Sequence, residues 1–197
     1  MKAQWTHELL RTLDADFASI QEHFRKNIGQ FFCKEFSSYT NSVIPAVQAQ
    51  TQNTGMPKGG LAQLISLKHR IKSIRVETKN YRLQAQILKL QNISLLWINS
   101  YFPTDPQTMN YDSTELSEVL AEVERILDSA EFDHVLWNGD LNWDPRRRSG
   151  FSVTISTFME RIGLVSAWDR FPVSHTSCDM EVMEVSWRWW RGRLPWT

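Results

Sequence analysis

Apolar and polar residues alternate along the chain in two periods, and the switch from one to the other marks the predicted elements. Leu9, Leu10 and Leu13 fall at helical spacing and predict a short helix with one apolar face. Phe17 to Gln21 has the brevity of a buried strand and ends at Glu22. Gly60 to Leu67 reads as a further strand. Tyr81 to Leu90 alternates, with Leu83, Ala85 and Ile87 on one side and Arg82, Gln84 and Gln86 on the other, which predicts a half-buried antiparallel strand. Ile93 to Ile98 is more continuously apolar, as expected of a strand covered on both faces, and runs into Asn99, Ser100 and Tyr101.

Helical spacing dominates after that. Asp112 is placed to cap a helix, and Glu115, three residues on, completes a capping box. Leu116, Val119, Leu120, Val123 and Leu127 then form an inward stripe. His134 to Trp137 predicts a short strand that stops at Asn138, Gly139, Asp140, Leu141 and Asn142. A second helix is expected over Ser152 to Ile162, with Ile155, Phe158, Met159 and Ile162 inward and Gly163 ending it. The turn-rich stretches, Thr51 to Gly60 and Pro103 to Tyr111, read as loops within one domain. Strands joined partly by hairpins and partly by long helices predict a mixed α/β (α+β) sandwich. Polar residues gather at three of its strand ends.

Composition narrows the function. The 197 residues are 42% hydrophobic, enough for one core. Lys+Arg and Asp+Glu both number 22, so no global basic field points to nucleic acid, and any such binding must rest on a local patch. Cys33 and Cys178 are far apart and lack metal-ligand spacing, which fits a reducing compartment and makes structural zinc unexpected. Met1 to Leu10 has no apolar signal-peptide core and no stretch approaches a membrane span, so a soluble, intracellular protein without a membrane partner is expected.

Phosphodiester hydrolysis needs a hard cation to offset phosphate charge, a carboxylate to orient or deprotonate water, and neutral donors for the non-bridging oxygens. Glu22, Asp140, Asn142 and Tyr101 supply those types at strand ends. Magnesium suits so sparse a set, because it accepts one or two carboxylates and keeps several waters. Taken singly, each acid could equally be a turn former or a solvated charge.

Their order along the chain resembles a known pattern. Gln21-Glu22-His23 is similar to the Gln-Glu motif of the endonuclease/exonuclease/phosphatase superfamily, in the form common among the apurinic/apyrimidinic-type endonucleases of non-long-terminal-repeat retrotransposons. Gly59-Gly60-Leu61-Ala62 resembles its Gly-Gly-x-Ala strand, and Asn99-Ser100-Tyr101-Phe102-Pro103 its Asn-x-Tyr-x-Pro segment. Gly139-Asp140-Leu141-Asn142 matches its Gly-Asp-x-Asn signature. The resemblance implies a four-layer α/β/β/α sandwich of the deoxyribonuclease-like type. It implies Glu22 as a ligand for magnesium, or manganese in its place, and Tyr101 as a contact to the scissile phosphate. It further implies that Asp140 handles the attacking water and Asn142 binds phosphate oxygen, with DNA as substrate and the nucleus as the place of work. His23 is expected to be packed or solvated.

The departures carry their own expectations. Nothing before Trp5 resembles the family's opening Asn-x-Asn-Gly strand, and nothing after Thr176 resembles its closing Ser-Asp-His; His175 and Asp179 are assigned no role. A partial domain over residues 5–176, incomplete at both ends, followed by a divergent Trp/Arg-rich tail over 177–197, is therefore expected. That implies a weak or inactive nuclease, marginal stability, and a monomer or aggregation-prone chain. The alternatives are a catalytically dead retroelement remnant that binds nucleic acid weakly, and a phosphodiesterase of phosphoinositide or sphingomyelin type. Arg146, Arg147 and Arg148 follow the Gly-Asp-x-Asn loop and are either a clamp on a phosphate backbone or a solvated charge run. Trp187 to Trp196 is either an aromatic and basic platform or sequence from a shifted frame.

Overall fold

The computed structural model describes residues 8–26, 32, 34, 36–46, 59–106, 113–144, 146–166 and 189–192. Its strands are β1 (Phe17–Gln21), β2 (Tyr39–Ile44), β3 (Leu61–Ser66), β4 (Lys72–Val76), β5 (Leu83–Leu90), β6 (Ile93–Tyr101), β7 (His134–Asp140), β8 (Val165–Ser166) and β9 (Trp189–Gly192). Two long helices are described, α1 (Thr114–Ser129) and α2 (Gly150–Arg161). A three-stranded antiparallel sheet has the order β1-β3-β2, and a six-stranded sheet the order β4-β5-β6-β7-β9-β8. The pair β6 and β7 is parallel and is joined through α1, since parallel neighbours cannot be linked by a hairpin.

Alternation along β5 and β6 decides which face meets what. Leu83, Ala85, Leu96 and Ile98 point outward and pack under Leu116, Val119, Val123 and Ile126 of α1 and Ile155, Phe158 and Met159 of α2. The outer face of the smaller sheet, Ala62 and Leu64, is covered by Leu10, Phe32 and Phe36. Two sheets back to back, with cover on both outer faces, give the sandwich expected from the pattern.

The inter-sheet layer is graded. At one end Ile65, Leu88 and Trp97 form an apolar cluster with Phe17, Leu90 and Leu95. Toward the other end the same layer is built of amides. Gln86 Nε2 donates to Gln63 Oε1 at 3.1 Å, Gln63 Nε2 to the Trp97 carbonyl at 3.0 Å, and Gln84 Nε2 to the Ser42 carbonyl at 2.6 Å. This corrects the expectation of a half-buried β5: Gln84 and Gln86 are buried, facing the second sheet rather than water. They tolerate burial because their polar atoms find partners there.

Other expectations shift by smaller amounts. Leu13 is exposed, so only Leu10 of the first apolar triad reaches the core. Asp112 lies outside the described residues; Ser113 occupies the cap position of α1 without a side-chain cap, and Glu115 pairs with Arg82 instead of closing a capping box. The second helix starts at Gly150, two residues early, because Ser149 accepts the Ser152 N–H. Strands β2 and β4 escaped prediction, the first being polar (Tyr39-Thr40-Asn41-Ser42) and the second a short basic edge. Strand β9, within the Trp/Arg-rich tail, pairs antiparallel with His134 to Trp137 of β7.

Trp97 joins the two halves of the layer. It is buried, lies edge-on to Phe17 with centroids 5.7 Å apart, and donates through Nε1 to Asn138 Oδ1 at 2.9 Å. Trp97→Ala should cost about 3 to 5 kcal/mol, measured as a shift in the urea midpoint. A loss below about 1 kcal/mol would mean the sheets are not held together there.

Candidate functional site

The polar end of the inter-sheet layer is where the strand-end residues meet. Tyr101 is the last residue of β6 and Asp140 the last of β7, and the parallel register sets them directly side by side. Parity then puts both on the inward face with Asn99 and Asn138. Glu22 follows β1 directly with φ 53°, a left-handed conformation that non-glycine residues seldom adopt. That turn brings its carboxylate across to the larger sheet, where the Tyr101 hydroxyl donates to it. Burial, then the Glu22 hydrogen bond, push the Tyr101 phenol well above its usual range, so it is a neutral donor throughout the physiological range.

Asp140 is held from two sides. Its Oδ1 accepts the Asn142 backbone N–H at 3.0 Å, and its carbonyl accepts the Phe102 N–H at 2.8 Å. Burial raises its carboxyl above the ordinary value, Glu22's charge adds to the rise, and the Asn142 bond opposes it. Asn142, with φ 46°, donates from Nδ2 to the Phe102 carbonyl at 2.9 Å, tying the ends of β6 and β7 together. One amide hydrogen remains for a ligand.

A clamp behind these residues sets the distance between the sheets. Gln21 Nε2 donates to Asn99 Oδ1 at 2.6 Å, and Asn99 Nδ2 reaches the Ala62 carbonyl of β3 at 3.2 Å. The motif residues flanking Glu22 and Tyr101 thus bind each other directly. His23 lies under this turn. Its Nδ1 accepts the Arg25 N–H at 3.1 Å, so Nε2 carries the proton and donates to the Ile44 carbonyl at 3.0 Å. Burial lowers its pKa from 6.5. A depressed histidine contributes stability above the unfolded value and loses it as pH falls through the lower folded one. Thermal midpoints should therefore drop below pH 6.5, and His23→Gln, which can keep both bonds, should flatten that slope. The fit is tight, since a Cβ on Gly60 would stand 2.5 Å from the His23 ring.

Arg82 belongs to the site although alternation placed it with the polar face. Only 13% of its side chain is exposed; Nη2 lies 2.6 Å from Glu115 on α1, and the guanidinium sits 5.3 Å from the Tyr101 ring centroid. No local sequence signal links Arg82 to Tyr101, nineteen positions on; only the β5–β6 register does. Arg146, Arg147 and Arg148 lie between β7 and α2. Arg146 and Arg147 pair with Asp144, at 3.1 and 3.9 Å, and Arg148 is exposed.

The donor set fits a magnesium ion. Glu22 and Asp140 are close enough for one charge to raise the other's pKa, and neither makes an ion pair among the described residues. Two facing carboxylates and a neutral phenol match an ion that takes few protein ligands and keeps its waters. No group of three metal-ligating side chains occurs among the described residues, so the protein share of any shell is small.

Two sheets packed face to face, helices outside, and polar strand ends meeting at one rim define the endonuclease/exonuclease/phosphatase-type fold, and the chain has that fold. The solved structures similar to it include three that bracket the class. An AP endonuclease from Archaeoglobus fulgidus superposes with a TM-score of 0.61 at 16% identity, covering 95% of this chain and 80% of its own. The human Nocturnin catalytic domain gives 0.60 at 13%, covering 96% and 74%. The endonuclease domain of TRAS1, a telomere-specific non-LTR retrotransposon, gives 0.58 at 14%, covering 95% and 77%. No protein-family model and no curated protein matches the chain by sequence. Identity this low carries the fold alone.

Proposed function

We propose that the chain is a magnesium-dependent phosphodiesterase of the endonuclease type, acting on DNA by in-line attack of water with low turnover. The observation that carries this is the meeting of Glu22, Tyr101, Asp140 and Asn142 at one rim, with Tyr101 bonded to Glu22 and Asn142 to Asp140. DNA as substrate is supported by the similar AP endonuclease and TRAS1 endonuclease structures.

In this reading Glu22 and Asp140 would hold the magnesium, which supplies charge to offset the phosphate and lowers the pKa of water. Asp140, fixed by the Asn142 N–H, orients the attacking water and takes its proton. Tyr101, protonated at all working pH values, donates to the charge that builds on the non-bridging oxygens. Asn142 contributes its remaining amide hydrogen to the same oxygens. Arg146 to Arg148 are assigned to the phosphate backbone flanking the scissile bond, with Arg148 contributing most because Asp144 already engages the other two. Turnover is proposed to be weak because the rim, among the described residues, offers only two carboxylates and two neutral donors to the transition state.

End-labelled duplex DNA tests the chemistry. Slow cleavage with magnesium, none with a chelator, and inversion at phosphorus when a chiral phosphorothioate is used are the expected results. Cleavage that persists in chelator, or retention at phosphorus, would refute in-line attack by water at this site.

A further inference from the structure

We propose that the rim opposite the hydrolytic one carries a separate binding groove for a single strand of nucleic acid. Strand β6 runs from that rim at Ile93 to Tyr101, so the two sites are about 26 Å apart at about 3.3 Å per residue. The proposal rests on the nuclease reading only in choosing nucleic acid as the polyanion.

The groove has a volume of about 450 Å³ and lies between the start of β1, the turn before β4 and the β5–β6 hairpin. Arg70, Lys89 and His69 line it, alongside the apolar side chains of Phe17, Ile71 and Leu90. Asp16 also lines it, but is engaged by Lys68 at 2.6 Å and His69 at 2.7 Å, and Asp14 by Lys68 at 2.9 Å. Asp133 accepts the Ser94 N–H at 2.7 Å. Arg70 and Lys72 make no ion pair among the described residues, and Lys89 reaches only the Ser94 hydroxyl at 2.8 Å.

A merely solvated charge run does not account for this placement. Lys72 and Lys89 stand directly opposite each other in the β4–β5 register, an arrangement that destabilises a sheet. Protection of the β4 edge from pairing would explain Lys72, but not Lys89, which sits on an interior strand, nor Arg70, which precedes the sheet in a left-handed turn. Bringing like charges together around an apolar floor is the arrangement for backbone phosphates above and a sugar or base below. Phe17, Ile71 and Leu90 are half-buried against the Ile65, Leu88 and Trp97 cluster, and the part of each left open to the groove suits a sugar or an unstacked base, which a duplex keeps inside. That favours a single strand.

Fluorescence anisotropy of a short labelled single-stranded oligonucleotide, in EDTA so that turnover plays no part, tests this with the full chain. Arg70→Glu and Lys89→Glu should each weaken binding at least about fivefold and lower the salt slope by about 0.7 for each phosphate no longer neutralised. Lys72→Glu supplies the decisive sign: it should weaken binding while raising the thermal midpoint, because it turns a like-charge opposition into an attractive pair. Bromouracil crosslinks should map to the segments around Ile71 and Leu90. The proposal fails if the wild-type chain does not bind in low salt, or if the three variants bind as it does. It fails equally if crosslinks fall only around Asp140, or if a poly-glutamate peptide competes as well as the oligonucleotide. Binding in EDTA together with no cleavage of duplex DNA once magnesium is supplied would leave the groove standing and sink the nuclease reading.

Discussion

Replacing Asp140 by Asn is expected to make the chain more stable and nearly inert. The carboxyl is partly buried and faces Glu22, so its ionised form is disfavoured in the fold. A group whose folded pKa is raised contributes stability below its unfolded value and loses that contribution as pH rises through the folded one. At neutral pH the wild-type chain therefore bears the cost of an ionised Asp140, which the amide removes. After screening at this half-open rim the gain should be on the order of 1 kcal/mol, or about 2 to 4 °C in the thermal midpoint. The difference should close as pH falls below the ordinary carboxyl value of 3.8. Hydrolysis should fall at least about 100-fold, since asparagine can neither hold a proton from water nor offset a cation. A less stable variant would mean that Asp140 is a structural anchor instead.

Gly139→Ala is expected to have the largest effect on folding. Its neighbour in the parallel register is Ser100, and a Cβ there would lie 2.0 Å from the Ser100 carbonyl oxygen and 2.7 Å from its nitrogen. Those are backbone atoms in the middle of a sheet and cannot move aside as a flexible side chain would. The glycine φ of 139° adds strain for any residue with a side chain. We expect a loss above about 4 kcal/mol, seen as failure to accumulate soluble, cooperatively unfolding protein. The clash would also part Tyr101 from Asp140, so any folded fraction should have lost hydrolysis. A variant within about 1 kcal/mol of wild type would contradict the β6–β7 packing.

The sheets' buried strands were legible in the sequence because burial leaves a mark in composition. β6 and the inward stripe of α1 fall where apolar runs and helical spacing put them, whereas β1, read as a buried strand, is an edge strand half-buried along its whole length. The faces of β5 were not, and for a physical reason. Gln84 and Gln86 alternate with apolar residues just as a solvent-facing set does, and only a second sheet carrying Gln63 and Ser42 turns that face inward. Pattern alone cannot tell an amide that faces water from one that faces another amide.

The candidate site was legible as a set of residues and not as an arrangement. Glu22, Tyr101, Asp140 and Asn142 were each visible at a strand end, but the Glu22–Tyr101 bond depends on a left-handed turn that nothing in Gln21-Glu22-His23 announces. Arg82 is seen beside Tyr101 only once the hairpin register is known. His23, by contrast, is packed as expected, a neutral histidine wedged beneath Gly60. The tail residues Trp189 to Gly192 had no predicted place and form a strand on β7, so that segment takes part in the sheet.

Conversion of supercoiled plasmid to open circles is the most direct test that these four residues form a working phosphodiesterase site. With magnesium, the wild-type chain should nick slowly, and Glu22→Ala and Asp140→Ala should each abolish the nicking. Equal nicking by the variants would place the activity elsewhere. No nicking by the wild-type chain over hours would contradict a hydrolase and leave a remnant that at most binds nucleic acid.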